Sequence, residues 1–453
     1  MVPPAFAQRT TVSVTVGAMT PARIVVVGTG YVGLTTGACL AELGHRVTCV
    51  DVDTAKVARL NAGRVDIMEP GLSELVARGL TSGTLSFVVG AREAVRAADG
   101  VFLCVPTPMG AGGAADLRAV EAVVAEIADV LPSGCALITK STVPVGTAQR
   151  IRDLLGRSDL PVVSNPEFLR EGSAVADFLG PDRIVVGSDT PGAADWVANL
   201  YATLDVPAVV TDAASAELVK YAANCFLAMK LSYVNAIAEL CDRLGADIED
   251  VTRGMGYDRR IGRSFLRPGP GWGGSCLPKD TSALLRIAES VRFDFGLLDA
   301  TIEENLAQRD RIIAKIAAAV GGRLADARIG VLGLAFKAGT NDLRDSPALS
   351  VASVLCAHGA EVTAYDPAIT GDLPGMLVAD TPYRVAKGAD AVVVLTEWPE
   401  FQRLDWAYMA ELMHGDSVVD TRNLLEPRAI LAVGLSWQGI GRPRAAARTT
   451  SVS

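Results

Sequence analysis

Arg23-Ile24-Val25-Val26-Val27, followed by Gly28-Thr29-Gly30-Tyr31-Val32-Gly33, is the stretch whose reading decides the fold. Five residues, three of them valine and one isoleucine, predict a buried strand. The glycines predict a tight turn into a helix that runs through Ala/Leu-rich sequence to Leu43-Gly44, and a second apolar run, Val47 to Val50, ends at Asp51. Strand, glycine turn, helix and strand within about 30 residues form a βαβ unit bearing the dinucleotide fingerprint. Gly28 serves the tight turn, Gly30 lets backbone approach a pyrophosphate, and Gly33 packs helix on strand. The first N–H groups of the helix, around Tyr31 and Val32, then face the phosphates. Asp51 closes the second strand, where a carboxylate accepts both ribose hydroxyls of NAD and repels the extra phosphate of NADP. Lys56 nearby leaves some tolerance for NADP.

The alternation continues outward from this unit. Gly100 to Val105, Ala136 to Ile138, Pro161 to Val163 and Ile184 to Gly187 read as further strands. Strands alternating with helices predict a mostly parallel sheet covered on both faces. Each strand ends in a polar or proline-containing turn: Pro106-Thr107-Pro108, Lys140-Ser141-Thr142-Val143-Pro144 and Asn165-Pro166-Glu167. Ligands of open α/β sheets lie beyond the carboxyl ends of the strands, so these turns are expected to line a site.

From Asp212 to Leu244 the pattern changes. Leu218, Tyr221, Ala222, Cys225, Ala228, Met229, Leu231 and Ile237 recur at helical spacing without Pro or Gly, and Gly245 supplies a stop. At ~1.5 Å per residue this is a rod of about 50 Å. A second α/β unit then begins. Arg328-Ile329-Gly330-Val331-Leu332-Gly333 repeats the pattern of Arg23 to Gly28, and Ala357 to Asp366 repeats Glu42 to Asp51. The fold class predicted is α/β: two Rossmann-like, doubly wound parallel-sheet domains joined by a long central helix and a helical middle domain. In the second copy Leu334-Ala335-Phe336-Lys337 replaces the glycine fingerprint, so it should bind something other than a dinucleotide. The expected divisions are 21–211, 212–312 and 313–441. Residues 1–20 and 442–453 are expected to be disordered tails, with Met19 an alternative start.

Composition narrows the class of function. The chain has 453 residues, half of them hydrophobic, and 42 Lys and Arg against 51 Asp and Glu leave a net charge of −9. An acidic chain without a dense basic run makes a poor nucleic-acid partner, because phosphate contacts need clustered cations. No apolar run reaches the roughly 18–20 residues of a membrane span, so no membrane partner is expected. The eight cysteines are scattered and only three histidines are present. No metal site or disulfide framework is expected, and a reducing cytoplasm is the natural compartment.

Gly271-Trp272-Gly273-Gly274-Ser275-Cys276-Leu277-Pro278-Lys279-Asp280 carries the chemistry. Taken alone, Cys276 reads as a buried structural thiol. Glycines that let a substrate approach, the neighbouring Lys279 and the NAD fingerprint upstream make it a candidate covalent nucleophile. On the long helix Lys220 and Asn224 are four apart and share an otherwise apolar face, so both should point at a polar site. Glu167 and Glu171 share the same spacing in Asn165 to Gly172, where a surface ion pair with Arg170 is the plainer reading.

From about Arg23 to Leu425 the chain resembles the UDP-glucose/GDP-mannose dehydrogenases. Lys140 to Pro144, Asn165 to Gly172, Gly273 to Asp280, and Gly333 to Asp345 carry the likeness. The resemblance implies a four-electron, two-NAD oxidation of a nucleotide-sugar alcohol to a uronic acid. By it Cys276 is the nucleophile, Lys220 and Asn224 stabilise an oxyanion, and Asp280 holds Lys220 and a water. Glu167 assists proton transfer through a water with Thr142. The resemblance puts Glu171, Val105 to Met109 (with Pro106 and Thr107), Ser141, Thr142, Lys279 and Arg344 on the cofactor side. Glu167, Phe168, Leu169, Lys220, Asn224, Arg260, Phe265, Arg267 to Gly273, Phe336, Lys337 and Arg422 fall on the nucleotide-sugar side. Trp272 and Leu277 depart from the family's usual Phe or Tyr and Phe. UDP-glucose is the expected substrate, with GDP-mannose or a UDP-N-acetylhexosamine as alternatives and a non-catalytic nucleotide-sugar sensor as a reading of another class. A homodimer through the central helix is expected.

Overall fold

The computed structural model describes residues 21–443. Their contacts gather into two compact units, 21–223 with 282–291, and 224–281 with 292–443. The segment expected as a helical middle domain, 212–312, is shared between these units.

The first unit is built on eight strands: β1 (Arg23–Val27), β2 (Arg46–Asp51), β3 (Leu85–Val89), β4 (Gly100–Leu103), β5 (Ala136–Thr139), β6 (Val162–Ser164), β7 (Ile184–Gly187) and β8 (Ala208–Thr211). They lie in the order β3-β2-β1-β4-β5-β6-β7-β8, parallel except where β7 meets β6. β3 and β8, which the sequence reading passed over, are the two edges. Their side chains are partly exposed, so the apolar signal is interrupted. In β1, Ile24 and Val26 join one core while Val25 and Val27 join the core on the opposite face. A strand buried on both faces reads as an unbroken apolar run.

The second unit repeats the plan with six parallel strands: β9 (Arg328–Leu332), β10 (Glu361–Tyr365), β11 (Leu377–Val378), β12 (Ala391–Val394), β13 (Ser417–Asp420) and β14 (Ser436–Gln438). Their order, β11-β10-β9-β12-β13-β14, matches the first six positions of the other sheet. The likeness extends to side chains. Asp99 accepts the Arg23 backbone N–H and pairs with its guanidinium, and Asp390 does both for Arg328.

The helix predicted from Asp212 runs from Ala213 to Leu244, 32 residues, with the Asp212 carboxylate accepting the Ser215 N–H. Within the first unit its Glu217 accepts the N–H groups of Gly146 (2.7 Å) and Ala148 (2.8 Å). It thereby caps the helix Thr147–Leu155, which follows the Lys140 to Pro144 turn. Arg442, placed at the start of the expected C-terminal tail, is instead tied to Asp247 and Glu249 and lies over the Trp437 ring. Its position had suggested only frayed sequence, because its partners lie almost 200 residues upstream. The expected tails at 1–20 and 444–453 lie outside the described residues.

Burial lifts the Glu217 carboxyl to about 7, against the pull of its two backbone donors. The folded value lies above the ordinary ~4.3, so folding takes up a proton at this group. Its contribution to stability is complete at low pH and is lost as pH rises through about 7. Glu217→Ala, which strands two N–H groups, should lower stability by about 1–3 kcal/mol. Glu217→Gln does not titrate, so its melting temperature should gain on that of the wild type between about pH 5 and pH 8. A gap in melting temperature independent of pH would contradict this assignment.

Candidate active site

The turn after β1 is shaped by close contact. Gly28 has φ +96°, and a Cβ there would come within 2.7 Å of the Cys104 carbonyl oxygen. A Cβ on Gly33 would collide with the Gly28 carbonyl oxygen, whereas one on Gly30 would meet nothing within 4 Å. This is the arrangement a pyrophosphate needs: helix and strand in contact, with the middle glycine facing open space beside the first turn of the helix Tyr31–Glu42. Asp51 ends β2 and accepts the Thr29 N–H (3.0 Å), the Thr29 hydroxyl, the Asp53 N–H (3.1 Å) and Lys56 Nζ (3.1 Å). Burial pushes its carboxyl up, but these donors outweigh burial and hold it at about 2. Lys56 is thus engaged by Asp51. Thr29, the partner that fixes Asp51, was missed because a threonine between two glycines carries no signal of its own.

The neighbouring turns are laced together by hydroxyls. Ser141 Oγ donates to the Val105 carbonyl (2.6 Å), and Thr107 Oγ1 donates to the Thr142 carbonyl (2.9 Å). Below them Lys140 is buried, donating to Asn165 Oδ1 (3.0 Å) and the Tyr201 hydroxyl (3.3 Å). Burial draws its ammonium down to about 8. Asn165 in turn donates to the Val185 carbonyl (2.8 Å), so the ends of β5, β6 and β7 share one polar network. Nothing in the spacing of Lys140 and Tyr201, 61 residues apart, announced it.

Two residues after Asn165, Glu167 forms a buried ion pair with Lys220 (2.9 Å), both side chains under a tenth exposed. Its second oxygen accepts the Leu169 N–H (2.6 Å), and the Phe168 ring has two cations near it, the Arg183 guanidinium at 3.5 Å and Lys220 Nζ at 5.4 Å from its centroid. The plainer reading of Glu167 as a partner of Arg170 is corrected here: Arg170 pairs with Asp177. Tyr31 stands nearby, its phenol raised by burial and then by Glu69, Glu171 and Glu167. Glu69 also escaped notice from sequence; it accepts the Gly172 N–H (2.8 Å) and pins the end of this loop.

In the second unit Cys276 immediately precedes the helix Leu277–Ser290, and its carbonyl accepts the Asp280 N–H that closes the first turn. Charge developing here faces the positive end of the helix. Asp280, fully buried, accepts from Asn224 Nδ2 (2.6 Å) and Lys279 Nζ (2.5 Å). Lys279, expected on the cofactor side, therefore has a carboxylate partner one residue away. None of the eight cysteines is in a disulfide. Burial pushes Cys39, Cys104, Cys135 and Cys225 up to about 12, as befits core hydrophobes, whereas Cys276 is partly exposed.

The same unit brings several expected sugar-side residues to the Cys276 loop. A Cβ on Gly274, at φ +81°, would press on the Phe336 ring, and one on Gly273 would strike the Asp345 carbonyl oxygen. Lys337 lies over the Phe336 ring. Arg422 is held by Glu397 (3.0 Å) and by the carbonyls of Leu395 (2.9 Å) and Phe336 (3.3 Å). Phe265 takes a positive φ of 61°, Arg260 pairs with Asp258 and Arg344 with Asp342, while Arg267 is exposed. Among the described residues no cluster of His, Cys, Asp or Glu could hold a metal, and no helix is long and apolar enough to cross a membrane.

Three family models match consecutive parts of the chain. These are the NAD binding domain (22–205), the central domain (214–307) and the UDP binding domain (330–427) of the UDP-glucose/GDP-mannose dehydrogenase family. UDP-glucose 6-dehydrogenase of Rhizobium meliloti is 44% identical over 435 residues, covering 93% of this chain and 100% of its own. Among solved structures, a UDP-glucose dehydrogenase from Pyrobaculum islandicum superposes with a TM-score of 0.84 at 37% identity, covering 95% of this chain and 100% of that one. A UDP-D-ManNAc dehydrogenase from Pyrococcus horikoshii gives 0.83 at 30% identity, over 93% and 99%. The chain belongs to the UDP-glucose/GDP-mannose dehydrogenase family. It is an NAD-dependent oxidoreductase, with NAD as its cofactor.

The Lys220–Glu167 pair yields a test of stability. Lys220→Ala leaves a buried carboxylate without its cation and should cost about 3–5 kcal/mol. Adding Glu167→Gln should restore part of that loss in thermal or urea denaturation. A double variant no more stable than Lys220→Ala would show that the pair is not coupled.

Proposed function

We propose that the protein oxidises UDP-glucose to UDP-glucuronate, carrying the intermediate aldehyde on Cys276. The observation that carries this reading is a partly exposed cysteine at the start of a helix, in a loop of glycines, beside a buried Asp280–Asn224 pair. An alcohol dehydrogenase needs no thiol, but oxidation on to an acid does. NAD at the glycine turn, with Asp51 toward its ribose, supplies the hydride acceptor for each of two oxidations.

Cys276 adds its sulfur to the aldehyde carbon, giving a thiohemiacetal whose carbon still bears a hydrogen. Loss of that hydrogen as hydride leaves a thioester, and water then cleaves the carbon–sulfur bond to release carboxylate and thiol. Lys220 and Asn224, one turn apart on their helix, stabilise the oxygen anion of the adduct. Asp280 fixes the Asn224 amide, and Glu167 with Thr142 assists proton transfer through water. Phe336, Lys337, Arg260, Arg267 and Arg422 hold the UDP portion, with cations to meet its diphosphate.

The protein is further read as a homodimer. Phe226, Tyr233 and Leu240 recur every seven residues on one face of the long helix and are each at least half exposed. Such an apolar helix stripe fits a second copy of the same helix. Tyr233→Asp with Leu240→Asp should convert a dimer into a monomer in sedimentation. A monomeric wild type would end this part of the reading.

The mechanism is tested by counting NADH against sugar consumed, with the product identified by mass, across UDP- and GDP-sugars and with NAD or NADP. UDP-glucose with NAD should give the largest kcat/KM and two NADH per sugar, without aldehyde release. Cys276→Ala should abolish uronate formation, and Cys276→Ser, a weaker nucleophile and leaving group that can give only an oxygen ester, should stall or fail at the second oxidation or at hydrolysis. One NADH per sugar, or uronate from Cys276→Ala at a near-normal rate, would overturn it. A larger kcat/KM for GDP-mannose or a UDP-N-acetylhexosamine would keep the chemistry and reassign the substrate.

A further inference from the structure

The segment Gly269-Pro270-Gly271-Trp272-Gly273-Gly274, which leads into Cys276, is neither helix nor strand. Its backbone groups have no ladder to join, yet Gly269, Pro270 and Trp272 are buried. Buried N–H and C=O groups must find partners. In this protein they find side-chain amides on two helices of the same unit. Gly269 donates its N–H to Asn235 Oδ1 (2.9 Å) and its carbonyl accepts from Gln308 Nε2 (2.8 Å). Trp272 is treated in the same way by one residue: its N–H donates to Asn305 Oδ1 (2.8 Å), and its carbonyl accepts from Asn305 Nδ2 (2.9 Å). The Trp272 indole completes the set, donating to Ser232 Oγ (2.9 Å), which donates to the Thr301 carbonyl (2.7 Å).

One carboxamide that engages both the N–H and the C=O of a residue imitates a neighbouring strand. It fixes the peptide planes on either side as well as the distance. Glycines supply no side chain to hold the loop, so its placement falls to these partners. Gly271, at φ +124°, comes so close that a Cβ would sit 2.9 Å from Asn305 Oδ1. Cys276 comes four positions after Trp272, and the three residues between them are Gly273-Gly274-Ser275, with little stiffness of their own.

We propose that Asn305 is a positioning residue for the reaction, setting the Cys276 sulfur through its two hydrogen bonds to the Trp272 backbone. The inference rests on Cys276 being the nucleophile. Reacting atoms must meet at about 3–3.5 Å, and a displacement near 1 Å can cost on the order of a hundredfold in rate. Asn305→Asp keeps the acceptor for the Trp272 N–H but sets a carboxylate oxygen against the Trp272 carbonyl. Asn305→Ser removes both bonds with little change in polarity.

The experiment compares wild type, Asn305→Asp and Asn305→Ser, each with UDP-glucose and NAD in the presence of hydroxylamine to trap free aldehyde. In parallel, the rate of alkylation of Cys276 by iodoacetamide is followed by peptide mass, with Cys356, also partly exposed, as the internal reference. Both variants should unfold cooperatively, lose at least tenfold in kcat and yield trapped aldehyde with fewer than two NADH per sugar. Cys276 should alkylate several times faster while Cys356 stays unchanged. Unchanged alkylation with kcat within twofold of wild type would overturn the proposal, and so would loss of cooperative unfolding in both variants, which assigns Asn305 to the fold alone. If the wild type itself makes one NADH per sugar, the covalent mechanism falls, and the alkylation comparison still judges the placement of the loop.

Discussion

A parallel strand buried on both faces has no place for a polar side chain except at its ends, and that constraint organises both units. β1, β4 and β5 are apolar on both sides, so hydrogen-bonding and charged groups are displaced to the turns that follow them. Because the strands run parallel, those turns gather on one edge of the sheet. Asp51 ends its strand, and Thr107, Ser141, Asn165 and Glu167 stand just beyond the carboxyl ends of theirs. Polar and charged groups are concentrated there because the interior of the sheet excludes them.

The repeated architecture shows how one frame serves two purposes. Asp51 ends β2 and Asp366 directly follows the equivalent strand β10, but their carboxylates meet different surroundings. Asp51 faces a hydroxyl, a lysine and backbone donors at a partly open turn. Asp366 is buried and consumed by its own chain, accepting from the Leu334, Ala335 and Ala368 N–H groups and the Trp398 indole. The first carboxylate can exchange partners with a ribose. The second is locked into the turn that carries Phe336 and Lys337. The loss of the glycine fingerprint after β9 thus accompanies a change from a carboxylate at a partly open turn to one buried in its own turn.

Buried charge is the second recurring expense of this molecule. Glu217, Lys140, Asp280 and the Lys220–Glu167 pair are all buried ionisable groups, and each is hydrogen-bonded. Such groups do little for stability compared with well-packed apolar residues, and they hold only while every partner is in place. They lie in or beside the turns that follow the strands and the loop of Cys276, where each fixes the direction of a backbone or side-chain group.

The sequence by itself determined the strands buried on both faces, the glycine turn, the acid at the end of the second strand, the long helix and the duplicated α/β frame. Those features follow from local patterns: apolar runs, glycine at fixed offsets, and a 3.6-residue period. The sequence also marked Cys276, Lys220, Asn224 and Asp280 as candidates, because polar residues in apolar or glycine-rich surroundings need a reason. Only the tertiary structure decided their partners. Thr29 on Asp51, Lys140 on Asn165 and Tyr201, Asp177 on Arg170, and Asn305 on Trp272 pair residues up to 61 positions apart. A hydrogen bond fixes distance and direction in space, and a linear pattern carries neither.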